Sequence, residues 1–554
     1  MPVKLCMSKK RILYTICFFF FCLIDQRIKT TSGLDGWGEA FRDLTGVVMA
    51  VLILSHYHPD DFAKRKIPYL VWSLICVIGG AVFLLKGQAL VWFANDRTVL
   101  ALDIFLYGLI LIHTFAELVL EHKKPQLYKP FALTWLAMLL LMIISRSEYL
   151  WPFCYLIMFG CFYLTDYTAA EREDLFQGML DGVILGFFLL QGWCFVFRPY
   201  DAVRYVGVYS NCNINALFYL MVLAAVLTKL VYVYRRECSR WIRLYYRLGA
   251  GVVLGFLFMT ISRTGWLAAA VLILAGLLCL WRVLPRRNLF ASLLKNGLII
   301  VLCCVLTFPL VFGAVRYLPP AFHHPVWFFG EWNEDKVHSW DKWDSEKFVN
   351  LDKLMRAANT RVAAILESLF QKEEPEEPEN TLRLEVEGEN LAAEDNTSQP
   401  EVTPLQQQLY DEALAAGFAL NRADRGNSLL VRKAIYRYYI HLLNFRGHPD
   451  SELGFQIFPN QRIGHAHNIY LQYGVDFGIP VMLLFTVLIG WSAVSFIQKI
   501  VRKPSEHAAG CLLFLLIPAV FGLLEYCWGA GSLAITLLFI IWKNMIDKNV
   551  EDNL

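Results

Sequence analysis

The chain alternates long apolar runs with short polar loops as far as Val315, abandons that pattern over residues 316–467, and resumes it from Asn468. Asking for about 20 apolar residues per crossing, or somewhat fewer where polar flanks can snorkel, predicts roughly fourteen membrane helices. They run over 12–24, 41–57, 67–86, 98–118, 129–146, 148–165, 177–197, 213–234, 247–261, 264–281, 293–315, 474–497, 509–526 and 529–546. The first two are the weakest. The first follows Lys9, Lys10 and Arg11 as a signal peptide would, but Asp25-Gln26-Arg27 offers no small-residue cleavage site, so a retained anchor is expected. The fold class expected is an all-α integral membrane protein, a bundle of about 12–14 transmembrane helices carrying a large, mainly helical external loop domain. It divides into an N-terminal membrane part (1–315), the loop domain (316–467) and C-terminal membrane helices (468–554).

Within the loop domain the polarity is uneven. Leu351 to Phe370 and Gln406 to Leu420 carry apolar residues at helical spacing, and Ser428 to Asn444 reads as a basic, tyrosine-rich helix suited to lie against acidic lipid headgroups. Residues 371–402 hold Glu373, Glu374, Glu376, Glu377, Glu379 and further acids against only Lys372 and Arg383, with prolines between them, which predicts a solvated acidic insertion.

Composition sharpens the membrane reading: 57% of residues are hydrophobic and only 18% charged, and mean hydropathy is +0.44. The net charge of +3 is small and its basic residues are scattered between apolar runs, which argues against a nucleic-acid partner. Instead they mark sidedness. Lys64-Arg65-Lys66, Lys123-Lys124, Arg235-Arg236, Arg282 and Arg502-Lys503 all fall on one side if the spans alternate, and that side is expected to be cytoplasmic. Both termini then lie inside the cytoplasmic membrane and 316–467 lies outside it. The 14 cysteines sit mostly in or beside apolar runs, with no CxxC pattern and no disulfide framework. No Walker loop, dinucleotide fingerprint or HExxH is present, which weakens an ATP-driven pump and leaves secondary transport and membrane-embedded transfer chemistry.

Three polar clusters stand out. One runs from Arg198 through Arg204, Gly207 and Asn211-Cys212-Asn213-Ile214-Asn215 into an apolar run; it reads equally as a plain connector with asparagine caps or as a substrate loop. Another, Ser262-Arg263-Thr264-Gly265, lies between two apolar runs, where Arg263 is a functional candidate unless it merely snorkels to the interface. The third is Gly464-His465-Ala466-His467-Asn468, followed by Gly478-Ile479-Pro480. Histidines at i and i+2 with no acidic or cysteine partner at a useful spacing make a poor metal site, so neither metal nor cofactor is expected. An imidazole, with an ordinary pKa of about 6.5, is suited to take a proton from a hydroxyl, and arginine's planar fork is suited to phosphate oxygens.

At these residues the chain resembles the O-antigen ligase and polymerase superfamily of bacterial membrane glycosyltransferases. The similarity rests on Arg204 with Gly207 and Asn211 to Asn215, on Ser262-Arg263-Thr264-Gly265, and on His467-Asn468 followed by Gly478-Ile479-Pro480, and extends from about Gly178 to Ile540. The resemblance implies metal-independent transfer of a glycan from a polyprenyl-diphosphate carrier to a hydroxyl of a glycan or lipid-linked acceptor, outside the cytoplasmic membrane. It makes His467 the general base or acceptor-orienting residue and assigns Arg263 and Arg204 to the diphosphate. Asn468, Ser262 and Asn213 take supporting places, Asn468 either fixing the imidazole or capping a helix. His465 has no assigned part, and ligase and polymerase stay equally open. A flippase for lipid-linked oligosaccharides, or another transporter, is the competing reading, for which interior polar residues such as Asp103, His113 and Asp181 would be natural. A sensor or scaffold that uses 316–467 as a binding module is the third.

Overall fold

The computed structural model describes residues 8–24, 45–85, 97–125, 127–147, 149, 151–197, 204–209, 211–284, 288–322, 351–370, 428–449, 455–458, 461–463, 465–526 and 532–547. The chain begins with α1 (Lys9–Ile24), α2 (Thr45–Leu54), a short α3 (Pro59–Lys64), α4 (Lys66–Leu85) and α5 (Arg97–Phe115), which runs on into a π-helical turn at Ala116–Leu120. There follow α6 (Lys129–Ile143), α7 (Trp151–Leu164), α8 (Ala169–Phe197), α9 (Cys212–Arg235), α10 (Arg240–Met259), α11 (Arg263–Val283) and α12 (Leu289–Ala321). The loop region supplies α13 (Leu351–Phe370), α14 (Ser428–His441) and an antiparallel hairpin of β1 (Phe455–Phe458) and β2 (Gln461–Ile463). The last elements are α15 (Ile469–Phe477), α16 (Ile479–Arg502), α17 (Glu506–Val520) with a 3-10 turn at Phe521–Leu523, and α18 (Leu533–Ile546).

Among the described residues, seven helices are long and apolar enough to cross a membrane: α8 to α12, α16, and α17 with its 3-10 turn. Six others carry apolar stretches of 10–17 described residues. Each of these overlaps a span expected from sequence hydropathy. The acidic run 371–402 and the helix expected over 406–420 lie outside the described residues. The helix expected over 351–370 is present, and the hairpin is a small addition to the all-helical expectation.

The bundle is organised around α9, which is buried along almost its whole length. It occupies the centre, with α8, α10, α11 and α17 packed around it, which keeps its polar residues Asn215, Thr228 and Lys229 away from lipid. On α12, by contrast, Leu298, Val301, Leu302, Val305, Leu306 and Leu310 are all more than half exposed, the surface a lipid-facing helix presents. The N-terminal helix α1 lies along α8, where Gly178, Gly182 and Gly186 leave no room for a Cβ against Tyr14, Thr15, Phe18 and Cys22. The C-terminal membrane helices pack into the N-terminal ones rather than beside them: α17 against α9 and α11, and α16 against α6.

One boundary differs in a way that matters. The apolar run over 474–497 predicts an unbroken span, but the chain breaks at Gly478, whose φ of 103° is open to glycine and costly for other residues. Pro480 starts the next helix in its first turn. The freed amide of Ile479 donates to Asn444 O at 2.9 Å, and that of His448 donates to Val475 O at 2.9 Å. The break therefore ties the segment after α14 to the start of α16 and lets α15 lie apart as a short, buried helix.

Candidate functional site at one end of the bundle

Each of the three polar clusters proves to be a helix N-terminus. Asn211 caps α9 by accepting the Asn213 amide at 2.8 Å. Ser262 caps α11 by accepting the Gly265 amide at 3.2 Å, and Asn468 caps α15 by accepting that of Leu471 at 2.9 Å. Helices α9 and α11 start here, α10 ends here, and Arg235, Arg240 and Arg282 mark their opposite ends. Converging N-termini concentrate positive dipole ends and unpaired amides, an arrangement suited to anions.

The side chains link these termini. Arg204 donates from Nε to Thr260 O at 3.2 Å, and from Nη2 to Asn213 Oδ1 at 3.2 Å and to Ile261 O at 3.4 Å. Ser262 Oγ donates to the same Asn213 oxygen at 2.9 Å. Asn213 Nδ2 in turn donates to Glu525 Oε1 at 2.8 Å. Gly207, at φ 56°, turns the preceding loop so that the Tyr205 amide reaches Met259 O at 2.9 Å, and a Cβ there would press on Asn215. Arg263 opens α11 next to Ser262 and is half-buried.

Glu525 is the hub. It is 2% exposed, and besides Asn213 it pairs with Arg432 through Oε1 and meets His467 Nδ1 through Oε2 at 3.0 Å. A carboxylate only accepts, so the shared proton sits on Nδ1, and in the neutral ring the lone pair is then on Nε2. The His467 carbonyl accepts from Tyr436 at 3.2 Å. Its backbone is left-handed at φ 49°, a conformation that costs a non-glycine residue about 1–2 kcal/mol. Ile261, immediately before Ser262-Arg263, is left-handed too at φ 50°. Strain at both motif segments is the kind that a surrounding bonded network sustains.

The structure therefore brings Arg204, Asn213, Ser262 and His467 into one bonded network and sets Asn468 beside it, where Nδ2 donates to Leu523 O at 2.9 Å while Oδ1 caps α15. The two alternatives for Asn468 resolve toward the cap, since its amide reaches Leu523 rather than the imidazole. Three members had escaped the sequence reading: Glu525, Arg432 and Tyr436. Glu525 was swallowed by the predicted span 509–526, although an ionisable residue inside an apolar run was itself the available signal. Arg432 and Tyr436 belong to the helix expected to face lipid headgroups. One face of α14 packs on α15, burying Ile435, Tyr438 and Tyr439, and Arg432 reaches in far enough to place Nη1 3.5 Å from Thr264 Oγ1.

His465 packs edge-on against His467 with ring centroids 4.2 Å apart. Burial, reinforced by the neighbouring His467, pushes its pKa down to about 4 against the opposing pull of Glu525. Among the described residues no group of three His, Cys, Asp or Glu side chains is placed to hold a metal ion.

Fold and site together describe a helical bundle with seven helices, among the described residues, long and apolar enough to cross a membrane, compatible with a multi-pass membrane protein, and a charged, histidine-bearing cluster at one end. Compared with known family profiles, curated proteins and solved structures, the chain finds no match.

Proposed function

We propose that this protein transfers a glycan from a polyprenyl-diphosphate carrier to an acceptor hydroxyl at the outer face of the cytoplasmic membrane, as an O-antigen ligase or polymerase does. The observation that carries the reading is the single carboxylate, Glu525, joining an imidazole to an arginine where three capped helix N-termini meet. In this reading the donor diphosphate lies against Arg204, Arg263 and Arg432 and the helix N-termini. His467 Nε2 takes the proton of the acceptor hydroxyl as its oxygen bonds to the anomeric carbon. The bond from that carbon to the diphosphate breaks with inversion, and the arginines take up the charge left on the departing oxygen. Glu525 balances the imidazolium that forms. The activated donor supplies the free energy, so no nucleotide enters the scheme.

A transporter remains the second reading because of a separate feature. Asp181 of α8 accepts from Arg11 Nη2 at 2.6 Å and from Lys229 at 2.7 Å, an ion triad inside the bundle of the sort that coupled carriers use. Purified protein in proteoliposomes, supplied with a polyprenyl-diphosphate glycan and candidate acceptors in the presence of a chelator, separates the two. Glycan joined to acceptor supports transfer. Movement of the donor between leaflets with no joined product would sink the transferase reading.

The arginines have separable effects. Arg204→Ala raises the donor KM and lowers kcat, because the diphosphate is anionic before the reaction starts. Arg263→Lys keeps the charge and loses the fork, so it lowers kcat with little change in KM. Steady-state kinetics on both variants check this, and equal losses in KM alone would count against a part for Arg263 in the transition state. The sidedness rests on the Lys/Arg bias: single cysteines near 240 and 503 should label from the cytoplasm, and those near 205 and 440 from outside. Cytoplasmic labelling at 205 and 440 would put the cluster on the wrong face for an external acceptor.

A further inference from the structure

Of the residues in the third cluster, His465 is the one to which the transfer scheme gives no task, yet it is among the most constrained. Its Nδ1 accepts the backbone N–H of His467 at 3.4 Å, closing a turn two residues long in the manner of an Asx turn. Its ring lies edge-on to His467 at 4.2 Å and 5.8 Å from Tyr526, the residue that follows Glu525. The amide of Ala466, between the two histidines, donates to Gln472 Oε1 at 2.6 Å, and Gln472 Nε2 donates to Asp476 Oδ1 at 2.7 Å, both within α15. The turn is thus pinned on one side by α15 and on the other by the segment carrying Glu525.

We propose that His465 is a positioning residue: by accepting the His467 amide and bracing its ring, it holds His467 in the left-handed conformation that delivers Nδ1 to Glu525 and leaves Nε2 for the acceptor hydroxyl. This rests on the transferase reading for its effect on rate but not for its structural content. His467 is fixed at three points. Its N–H goes to His465, its carbonyl takes the Tyr436 hydroxyl, and its Nδ1 meets Glu525. Without the first of these, a residue at φ 49° loses the contact that offsets its strain and relaxes toward an ordinary backbone conformation, swinging the imidazole off the carboxylate. The accepting role also requires a neutral His465, since a protonated ring would present a donor to a donor. A residue held well below the ordinary imidazole range by burial meets that requirement at any pH near neutrality.

Two substitutions separate the accepting atom from the ring. His465→Asn keeps an oxygen able to close the same two-residue turn; His465→Phe keeps an aromatic ring and loses the acceptor. In lipid nanodiscs with the polyprenyl-diphosphate glycan and acceptor, His465→Phe should lower kcat by roughly 10–100-fold, the range expected for a displaced catalytic group, with donor KM within about twofold. His465→Asn should stay within about threefold of the parent. A second readout needs no turnover: ¹⁵N spectra of histidine-labelled protein, with His467 assigned by its loss in His467→Gln. The parent and His465→Asn should show His467 as one tautomer protonated at Nδ1, and His465→Phe a mixture. The proposal is overturned if His465→Phe matches the parent in both readouts, if His465→Asn falls as far as His465→Phe, or if the loss appears in KM alone. Absence of transfer by the parent itself counts against the transferase reading, and the tautomer spectra then decide the positioning role on their own.

Discussion

Replacing His467 by alanine should reduce glycan transfer roughly 10²–10⁴-fold, the usual cost of losing a general base, while leaving donor affinity close to that of the parent. The separation follows from geometry. His467 reaches the rest of the cluster through Glu525 and Tyr436, whereas the arginine and helix-terminus contacts assigned to the diphosphate are built from Arg204, Asn213, Ser262 and Thr264 without it. Alanine also removes a side chain that is about a quarter exposed, so the packing loss is small. Donor affinity by equilibrium binding and turnover by product formation, measured on the same preparation, test the point. Transfer at the parent rate with both His467 and Arg263 replaced by alanine would end the mechanism and leave the transporter reading as the better account.

The other large effect is expected at Glu525, and it differs in kind because stability and activity move together. Glu525→Ala leaves Arg432 and Asn213 facing a void and strips His467 of its acceptor. Losing a hydrogen-bonded buried charge costs about 1.5–3 kcal/mol, so for a chain of 554 residues the melting temperature in detergent should fall by about 1–3 °C along with activity. Glu525→Gln is the informative partner. It can still accept from the Asn213 amide or from His467 and nearly preserves shape, so much of the stability should return. Its lost charge leaves Arg432 and any imidazolium unbalanced, and transfer should stay at least about tenfold down. A Gln variant as active as the parent would show that the carboxylate only ties the helices together.

What the sequence disclosed and what it concealed divide along a physical line. Helix starts were legible because capping is local: Asn211, Ser262 and Asn468 each bind an amide two or three residues ahead, and each sits at the head of an apolar run. The break at Gly478 was half-visible, since Gly-Ile-Pro is a helix-start signal, but the apolar count ran through it. Hydropathy by itself leaves the number of crossings open, because it measures dislike of water, which lipid and a protein interior satisfy alike; among the described residues seven of the expected spans are long apolar helices. Glu525 could not be paired from sequence at all. Its partners lie 58, 93 and 312 positions away, at His467, Arg432 and Asn213, and no spacing rule spans such distances. The inward turn of Arg432 on α14 was hidden on the same ground, because its partner Glu525 lies far along the chain.

The distance between Asn213 and Glu525 also has a temporal side. A ribosome adding about 5–20 residues per second takes roughly 15–60 s to travel from one to the other. For that interval the nascent chain carries Asn213 without the carboxylate it meets in the finished fold, and Arg432 and His467 are likewise made 93 and 58 positions ahead of it. The segment that carries Glu525 is thus the keystone of the cluster's assembly, and a polypeptide released before residue 525 would leave Arg432 without its counter-charge and Asn213 and His467 unjoined, a mark that distinguishes it from a chain carrying the acid.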